Sequence, residues 1–311
     1  MKTNISLILI LCLLLGACKN GNASSQSKNE TPQDTIKAIK MPAIPQMMTA
    51  PEQRADFLAK HYWDNVNFAD TNYIHHPEVT EQAWADYCDL LNHVPLETAQ
   101  QAMRNVIDRT NVDKKVFTYI TDLADKYLYD PNSPMRNEEF YIPVLEAMIA
   151  SPVLDETEKI RPQARLKLAQ KNRIGTKALD FTYTLASGAQ GSLYQLKAEY
   201  LLLFINNPGC QACTENIEGL KNAPVINQLL KEKKLILLSI YPDEELDEWK
   251  KHLSEFPNEW INGYDKKFTI KEEQIYDLKA IPTLYLLDKD KTVLLKDATA
   301  PAIEAYLMQH Q

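Results

Sequence analysis

Leu201-Leu202-Leu203-Phe204-Ile205-Asn206-Asn207-Pro208-Gly209-Cys210-Gln211-Ala212-Cys213 is the stretch on which the reading of this chain turns. A short apolar run closed by Asn, Pro and Gly reads as a buried strand, and a CxxC follows it directly. Further on, Ile281-Pro282-Thr283 opens a second apolar run, Leu284-Tyr285-Leu286-Leu287. A CxxC after a strand, paired with a downstream proline at a strand start, points to thiol-disulfide chemistry. A thiol reacts as its thiolate, and the start of a helix carries partial positive charge that favours one. Cys210 is therefore the expected exposed nucleophile. Cys213, one helical turn further in, is the expected resolving thiol that breaks a mixed disulfide. A zinc site would need four ligands, and no second CxxC or closely spaced Cys/His pair follows, so no metal is expected. As a structural staple the pair would be poor, because so short a loop is strained and gains little loop entropy.

The N-terminus carries Met1-Lys2, an apolar run from Ile5 to Leu15, and then Gly16-Ala17-Cys18 before polar low-complexity sequence. A positive start, a short apolar region and small residues before a cleavage point read as a secretory signal over residues 1–17 rather than a membrane span. Leu15-Gly16-Ala17-Cys18 resembles a bacterial lipobox, which implies lipidation at Cys18 and an exported protein anchored by lipid in the cell envelope. Cleavage would remove one positive charge, Lys2, and move the formal charge from −8 to −9. An acidic chain without a basic stripe offers no footprint for nucleic acid. Residues 18–45, rich in Lys, Asn, Ser, Gln and Pro, read as a flexible tether.

The remaining residues exceed the usual size of a single core, so two domains are expected, 46–174 and 175–311. Thr49 and Glu52 have capping-box spacing, with Pro51 between them. Apolar residues at helical period follow: Leu58, Tyr62 and Val66; Ala83, Tyr87, Leu90, Leu91 and Val94; Leu96, Ala99, Met103, Val106 and Ile107. Two further faces run through Val116, Ile120, Leu123 and Tyr127, and through Phe140, Val144, Leu145 and Met148. With a sixth segment around Pro162 to Asn172, the pattern predicts an all-α helical bundle domain. Cys88 shares a stripe with Trp84 and Leu91 and is expected as a buried thiol. Tyr62, Trp63 and Phe68 read as core aromatics. His75-His76 read as an interhelical loop, since adjacent side chains diverge. The turn-rich Tyr129-Asp130-Pro131-Asn132-Ser133-Pro134-Met135-Arg136 reads as a loop, a cap over the next domain, or a partner surface.

After Gly175 the period changes. Phe181 to Leu185 and the turn Ser187-Gly188-Ala189-Gln190-Gly191 predict a hairpin. Strands are expected at Leu201 to Asn206, Leu235 to Ile240, Thr283 to Leu287 and Val293 to Leu295. Helices are expected at Cys213 to about Lys221, Val225 to Leu230, Glu244 to Glu255 and Pro301 to His310, with a linker around Trp260. This order makes an α/β domain, a mixed sheet with helices on both faces.

From Ala178 onward the chain resembles the thioredoxin superfamily, specifically exported thiol-disulfide oxidoreductases of the TlpA/ResA type. The resemblance rests on Ala178-Leu179-Asp180-Phe181 before a hairpin, Asn207 to Cys213, and Tyr276-Asp277-Leu278 leading to Ala280-Ile281-Pro282-Thr283. The helical part is similar to a domain of unknown function found before thioredoxin-like domains in lipoproteins of Gram-negative bacteria. The resemblance implies a cis Pro282 facing the CxxC, with the backbone of Ile281 free to pair with an extended substrate segment. It also implies client proteins with disulfides, an upstream membrane electron donor, a periplasm-facing location on the outer membrane, and no cofactor. Three departures stand out. Phe204 occupies the place of a buried carboxylate, Asn216 the place of a glutamate after the second Cys, and Gly209 the place of a tryptophan. Glu215 becomes the candidate for proton transfer at Cys213, against its reading as a solvated first-turn carboxylate. Gln211-Ala212 and Ile281-Pro282-Thr283 lean toward a reductase. A peroxiredoxin-like thiol peroxidase would need Pro and Thr where Leu203 and Asn207 stand. A scaffolding lipoprotein whose helical domain recognises a partner is the remaining alternative.

Overall fold

The structure, a computed structural model, describes residues 38–310. The signal segment 1–17, Cys18 and most of the tether lie outside the described residues.

Six helices make the first lobe: α1 (Pro51–His61), α2 (Pro77–Leu91), α3 (Leu96–Arg109), α4 (Lys114–Ala124), α5 (Glu138–Ala150) and α6 (Glu156–Ala169). The expected capping box at Thr49 is absent. Pro51 confines Ala50 to extended backbone, so Ala50 becomes the N-cap and makes no side-chain hydrogen bond. Better caps lie elsewhere: Asp113 accepts from Lys115 and Val116 N–H, and Asp155 with Glu158 forms a full capping box. That box starts α6 earlier than its apolar pattern suggests. α5 contains Pro143, which cannot donate to the carbonyl of Glu139. The Gln100 side chain, reaching over from α3, donates to that carbonyl at 3.1 Å instead. α4 continues into a π-helical turn, Asp125–Tyr129, closed by Asp130 N–H to Asp125 O at 3.0 Å. One apolar core fills the lobe, with Trp63, Trp84, Tyr87, Cys88, Met103, Phe117 and Val144 buried in it. Tyr62, Trp63 and Phe68 are core residues. His75 ends a 3₁₀ turn and His76 is the N-cap of α2.

The second lobe is a seven-stranded sheet in the order β2-β1-β5-β4-β3-β6-β7. Its strands are β1 (Thr182–Leu185), β2 (Gln190–Ser192), β3 (Tyr200–Ile205), β4 (Leu235–Tyr241), β5 (Ile261–Tyr264), β6 (Thr283–Asp288) and β7 (Val293–Lys296). Between them run α7 (Gln211–Lys221), α8 (Pro224–Lys231), α9 (Leu246–Lys251) and α10 (Thr269–Glu272), and α11 (Ala300–Gln309) ends the chain. The interior strand β3 is parallel to β4 and antiparallel to β6. Its unbroken apolar run follows from that position: Leu202 and Phe204 enter the core beneath α7, α8 and α11, while Leu201, Leu203 and Ile205 enter the core on the other face. Each such side chain contributes roughly 1.5–3 kcal/mol of burial.

The linker expected around Trp260 contains β5, which joins the hairpin to the sheet by pairing parallel with β4 and antiparallel with β1. Its Gly263 is demanded by packing, since a Cβ there would meet the Tyr183 ring at 3.0 Å. The residues after Gly175 (φ +80) run beside β7 and cover that edge through Gly175 N–H to Val293 O and Ala178 N–H to Lys291 O, both 2.8 Å. Across the described residues the two lobes form one compact unit.

Candidate functional site

β3 ends at Ile205, directly against the start of α7. Two buried polar contacts shape the turn between them: Asn206 Nδ2 donates to Ser239 Oγ at 2.8 Å, and Asn207 Nδ2 donates to Asp243 Oδ2 at 2.9 Å. Gly209 has φ +71, and nothing lies within 4 Å of where a Cβ would stand. Backbone conformation rather than crowding therefore selects glycine at this position.

Cys210 is the N-cap of α7, its carbonyl accepting from Thr214 N–H at 3.0 Å. Its side chain is partly exposed, and Sγ lies 3.8 Å from the carbonyl oxygen of Ile281. The Ile281–Pro282 peptide is cis. Cys213, only 2 % exposed, faces inward and accepts from Asn207 N–H at 3.5 Å. Both thiols are free. Burial pushes the Cys213 thiol up to about 12, the Asn207 N–H pulls it part of the way back, and neighbouring Cys210 adds to the upward push.

Among the described residues, no carboxylate acts on the Cys213 thiol. Phe204 is fully buried and meets Trp260 edge-on at 6.4 Å, so its surroundings are apolar. Asn216 turns back to donate to Ala212 O at 2.9 Å. Glu215 is exposed and accepts from Gln211 Nε2 at 2.9 Å. Two residues along a helix is about 200° of rotation, which carries Glu215 away from the face that buries Cys213.

Sequence reasoning missed the cluster behind Ile281. Lys279, its side chain 10 % exposed, lies 2.9 Å from Asp277, 3.2 Å from Asp297 and 3.5 Å from Glu138. Lys296 pairs with the same Glu138, and the Thr283 hydroxyl donates to Asp297. Burial alone would lower the Lys279 ammonium, but Asp297, Glu138 and Asp277 outweigh it and hold the group well above its ordinary value. Burial would likewise raise Asp297, and Lys279, the Thr283 hydroxyl and Arg136 outweigh it and hold it low. Glu138 lies at the start of α5 and Asp297 just after β7, so no local pattern in the sequence links them. Only the loop Tyr129 to Arg136, dense in turn formers, marked this region beforehand. Beside Ile281 a cavity of about 460 Å³ opens, walled by Tyr129 and Leu168 of the helical lobe and by Asp243, Lys271 and Tyr276 of the sheet lobe. Among the described residues, no group of three or more His, Cys, Asp or Glu is placed to hold a metal, and no helix is long and apolar enough to cross a membrane.

Residues 198–293 match the family model described as thioredoxin-like, and residues 17–172 match a domain of unknown function, DUF5106. A thioredoxin-like protein from Bacteroides caccae is 83 % identical, with a TM-score of 0.87 over 89 % of this chain and 100 % of that one. The C-terminal domain of an uncharacterised protein from Bacteroides fragilis is 69 % identical over 44 % of this chain and 98 % of that one, with a TM-score of 0.44. The thioredoxin domain of a thiol-disulfide oxidoreductase from Bacteroides vulgatus is 21 % identical over 44 % and 97 %, with a TM-score of 0.40. No curated protein matches the chain.

Proposed function

We propose that this chain, which belongs to the thioredoxin-like family, is a thiol-disulfide oxidoreductase of the cell envelope that reduces disulfides in client proteins. The observation that carries this reading is the pairing of a partly exposed Cys210, 3.8 Å from the carbonyl of Ile281 in the bend before β6, with a buried free thiol in the first turn of the helix. An extended client segment would lie along the Ile281 backbone and present its disulfide to Cys210.

The Cys210 thiolate attacks one client sulfur. A Cys210–client disulfide forms, the client S–S bond breaks, and the second client sulfur leaves as a thiolate and takes up a proton. Cys213 then loses its proton and attacks Cys210 Sγ. The Cys210–Cys213 disulfide forms, and the first client sulfur leaves and is protonated. The client gains two electrons and two protons, and the protein is oxidised by the same amount. Re-reduction requires an external dithiol, which in an oxidising compartment implies a membrane electron donor. Lipidation at Cys18 would hold the protein at the periplasmic face of the outer membrane, and the absence of a charged or aromatic residue between the cysteines favours the reducing direction.

Replacing Cys213 with Ser tests the reading. Mixed disulfides between Cys210 and client proteins are expected to accumulate, visible as adducts on a non-reducing gel that dithiothreitol removes. Their absence in protein whose Cys210 is free by thiol labelling, with no reductant present, would reject client reduction.

A further inference from the structure

We infer that the helical lobe positions the client-binding edge at Ile281, with Lys279 and Glu138 as positioning residues for disulfide exchange. This rests on the proposed role of that edge.

The segment Lys279–Thr283 is clamped at both ends by one buried cluster. At its start, Lys279 Nζ is held by Asp277, Asp297 and Glu138, and its N–H donates to Asp277 Oδ1 at 2.9 Å. At its end, the Thr283 hydroxyl is bound to the same Asp297. Between them lies the Ile281 carbonyl that faces Cys210. Three of the groups that complete the clamp come from the helical lobe. Glu138 binds Lys279 and Lys296, Arg136 donates to the Asp297 carbonyl, and the Tyr129 ring lies 5.0 Å beneath the Lys279 ammonium. Tyr129 is itself fixed from the other side by the Arg165 guanidinium at 4.2 Å and by stacking on Tyr141 at 5.0 Å.

Buried ion pairs of this kind often stabilise a fold no better than apolar packing would, yet they fix geometry. Here the geometry they fix is that of a backbone segment, and the helical lobe also supplies one wall of the cavity beside it, through Tyr129 and Leu168. A client segment extending past Ile281 would enter that cavity, so the helices act on a polypeptide substrate and leave a small disulfide unaffected.

Glu138→Gln removes one charge without changing shape, and Tyr129→Leu removes the ring if the first variant folds poorly. The full chain would be assayed with two substrates, insulin as a protein disulfide and 5,5′-dithiobis(2-nitrobenzoate) as a small one. For either variant KM for insulin should rise about fivefold or more, while the rate with the small disulfide stays within about twofold. An unchanged KM for insulin in both variants overturns the inference, as does an equal fall with both substrates, which is what general damage to the fold would give. An inactive wild-type protein would instead overturn the reading of the site, and this inference with it.

Discussion

Cys88, in the last turn of α2, and Cys213, in the first turn of α7, are buried to the same extent, 2 % exposed, and burial pushes both thiols up to about 12. Their surroundings differ in kind. Cys88 sits inside the apolar core of the helical lobe with Trp84 and Leu91, and burial is the sole cause of its shift. Cys213 has a backbone N–H on its sulfur, a partly exposed thiol one turn before it, and the Ile281 carbonyl beyond that thiol. Burial alone therefore does not distinguish a core cysteine from one in the proposed site. What distinguishes them is an exposed partner thiol at a helix start, where a substrate can arrive.

The largest effect should separate the two regions outright. Cys210→Ser is expected to reduce disulfide exchange by at least about a thousandfold, because the proposed nucleophile is lost and, among the described residues, no other thiol contacts the Ile281 carbonyl. Cys88→Ser should leave exchange within about twofold and lower stability by roughly 1–3 kcal/mol, the cost of a buried hydroxyl without an assured partner. Turnover with insulin and denaturant melts of both variants check the pair. A large loss of exchange in Cys88→Ser would end the distinction.

The same contrast explains what the sequence disclosed. The reactive region was legible because its signals are local: an apolar strand, a Pro-Gly turn and a CxxC lie within thirteen consecutive residues. The helical faces were legible for a similar reason, as the buried Trp84, Cys88 and Leu91 repeat at helical spacing. Strand β5 was not, because Ile261-Asn262-Gly263-Tyr264 lacks strand-forming residues at its centre, and its Gly263 answers to Tyr183 far away in the chain. The cluster behind Ile281 was not either. Glu138 and Lys279 are 141 residues apart, and nothing about either residue by itself indicates burial. Local pattern identifies the chemistry, and long-range pairing sets the backbone that presents a substrate to it.

A smaller, graded effect tests the protonation of the buried thiol. In Cys210→Ser protein, alkylation of Cys213 by iodoacetamide should be slow near neutrality and rise about tenfold per pH unit toward pH 12, because only the thiolate reacts. Quantifying the Cys213 peptide by mass spectrometry across pH checks this, with the Cys88 peptide following the same rise. The stability consequence has a definite sign. Between the ordinary thiol value and about 12, the folded chain holds a proton that the unfolded chain has lost. Stability is thus fully present below the ordinary thiol value and falls as pH rises toward 12. Fast alkylation of Cys213 at pH 7 would mean that its sulfur is not shielded as described, and the comparison with Cys88 would fail.

The smallest effect concerns the proton that Cys213 must release before it can attack Cys210. Glu215 is the carboxylate nearest to it in sequence, yet α7 turns that side chain to solvent, where Gln211 holds it. A general base must come within hydrogen-bond reach of the proton it removes, directly or through one water, and an exposed carboxylate on the opposite face of the helix does not. Glu215→Gln keeps the shape and can still accept from Gln211, so turnover should change by less than about twofold and the pH profile should keep its midpoint. In the proposed exchange, with Phe204 apolar and Glu215 turned outward, this proton would leave through the exposed side, past Cys210 and the departing client thiolate, which is itself a base. A shifted pH midpoint in Glu215→Gln would place the carboxylate back in the reaction and require α7 to present its first turn differently during exchange.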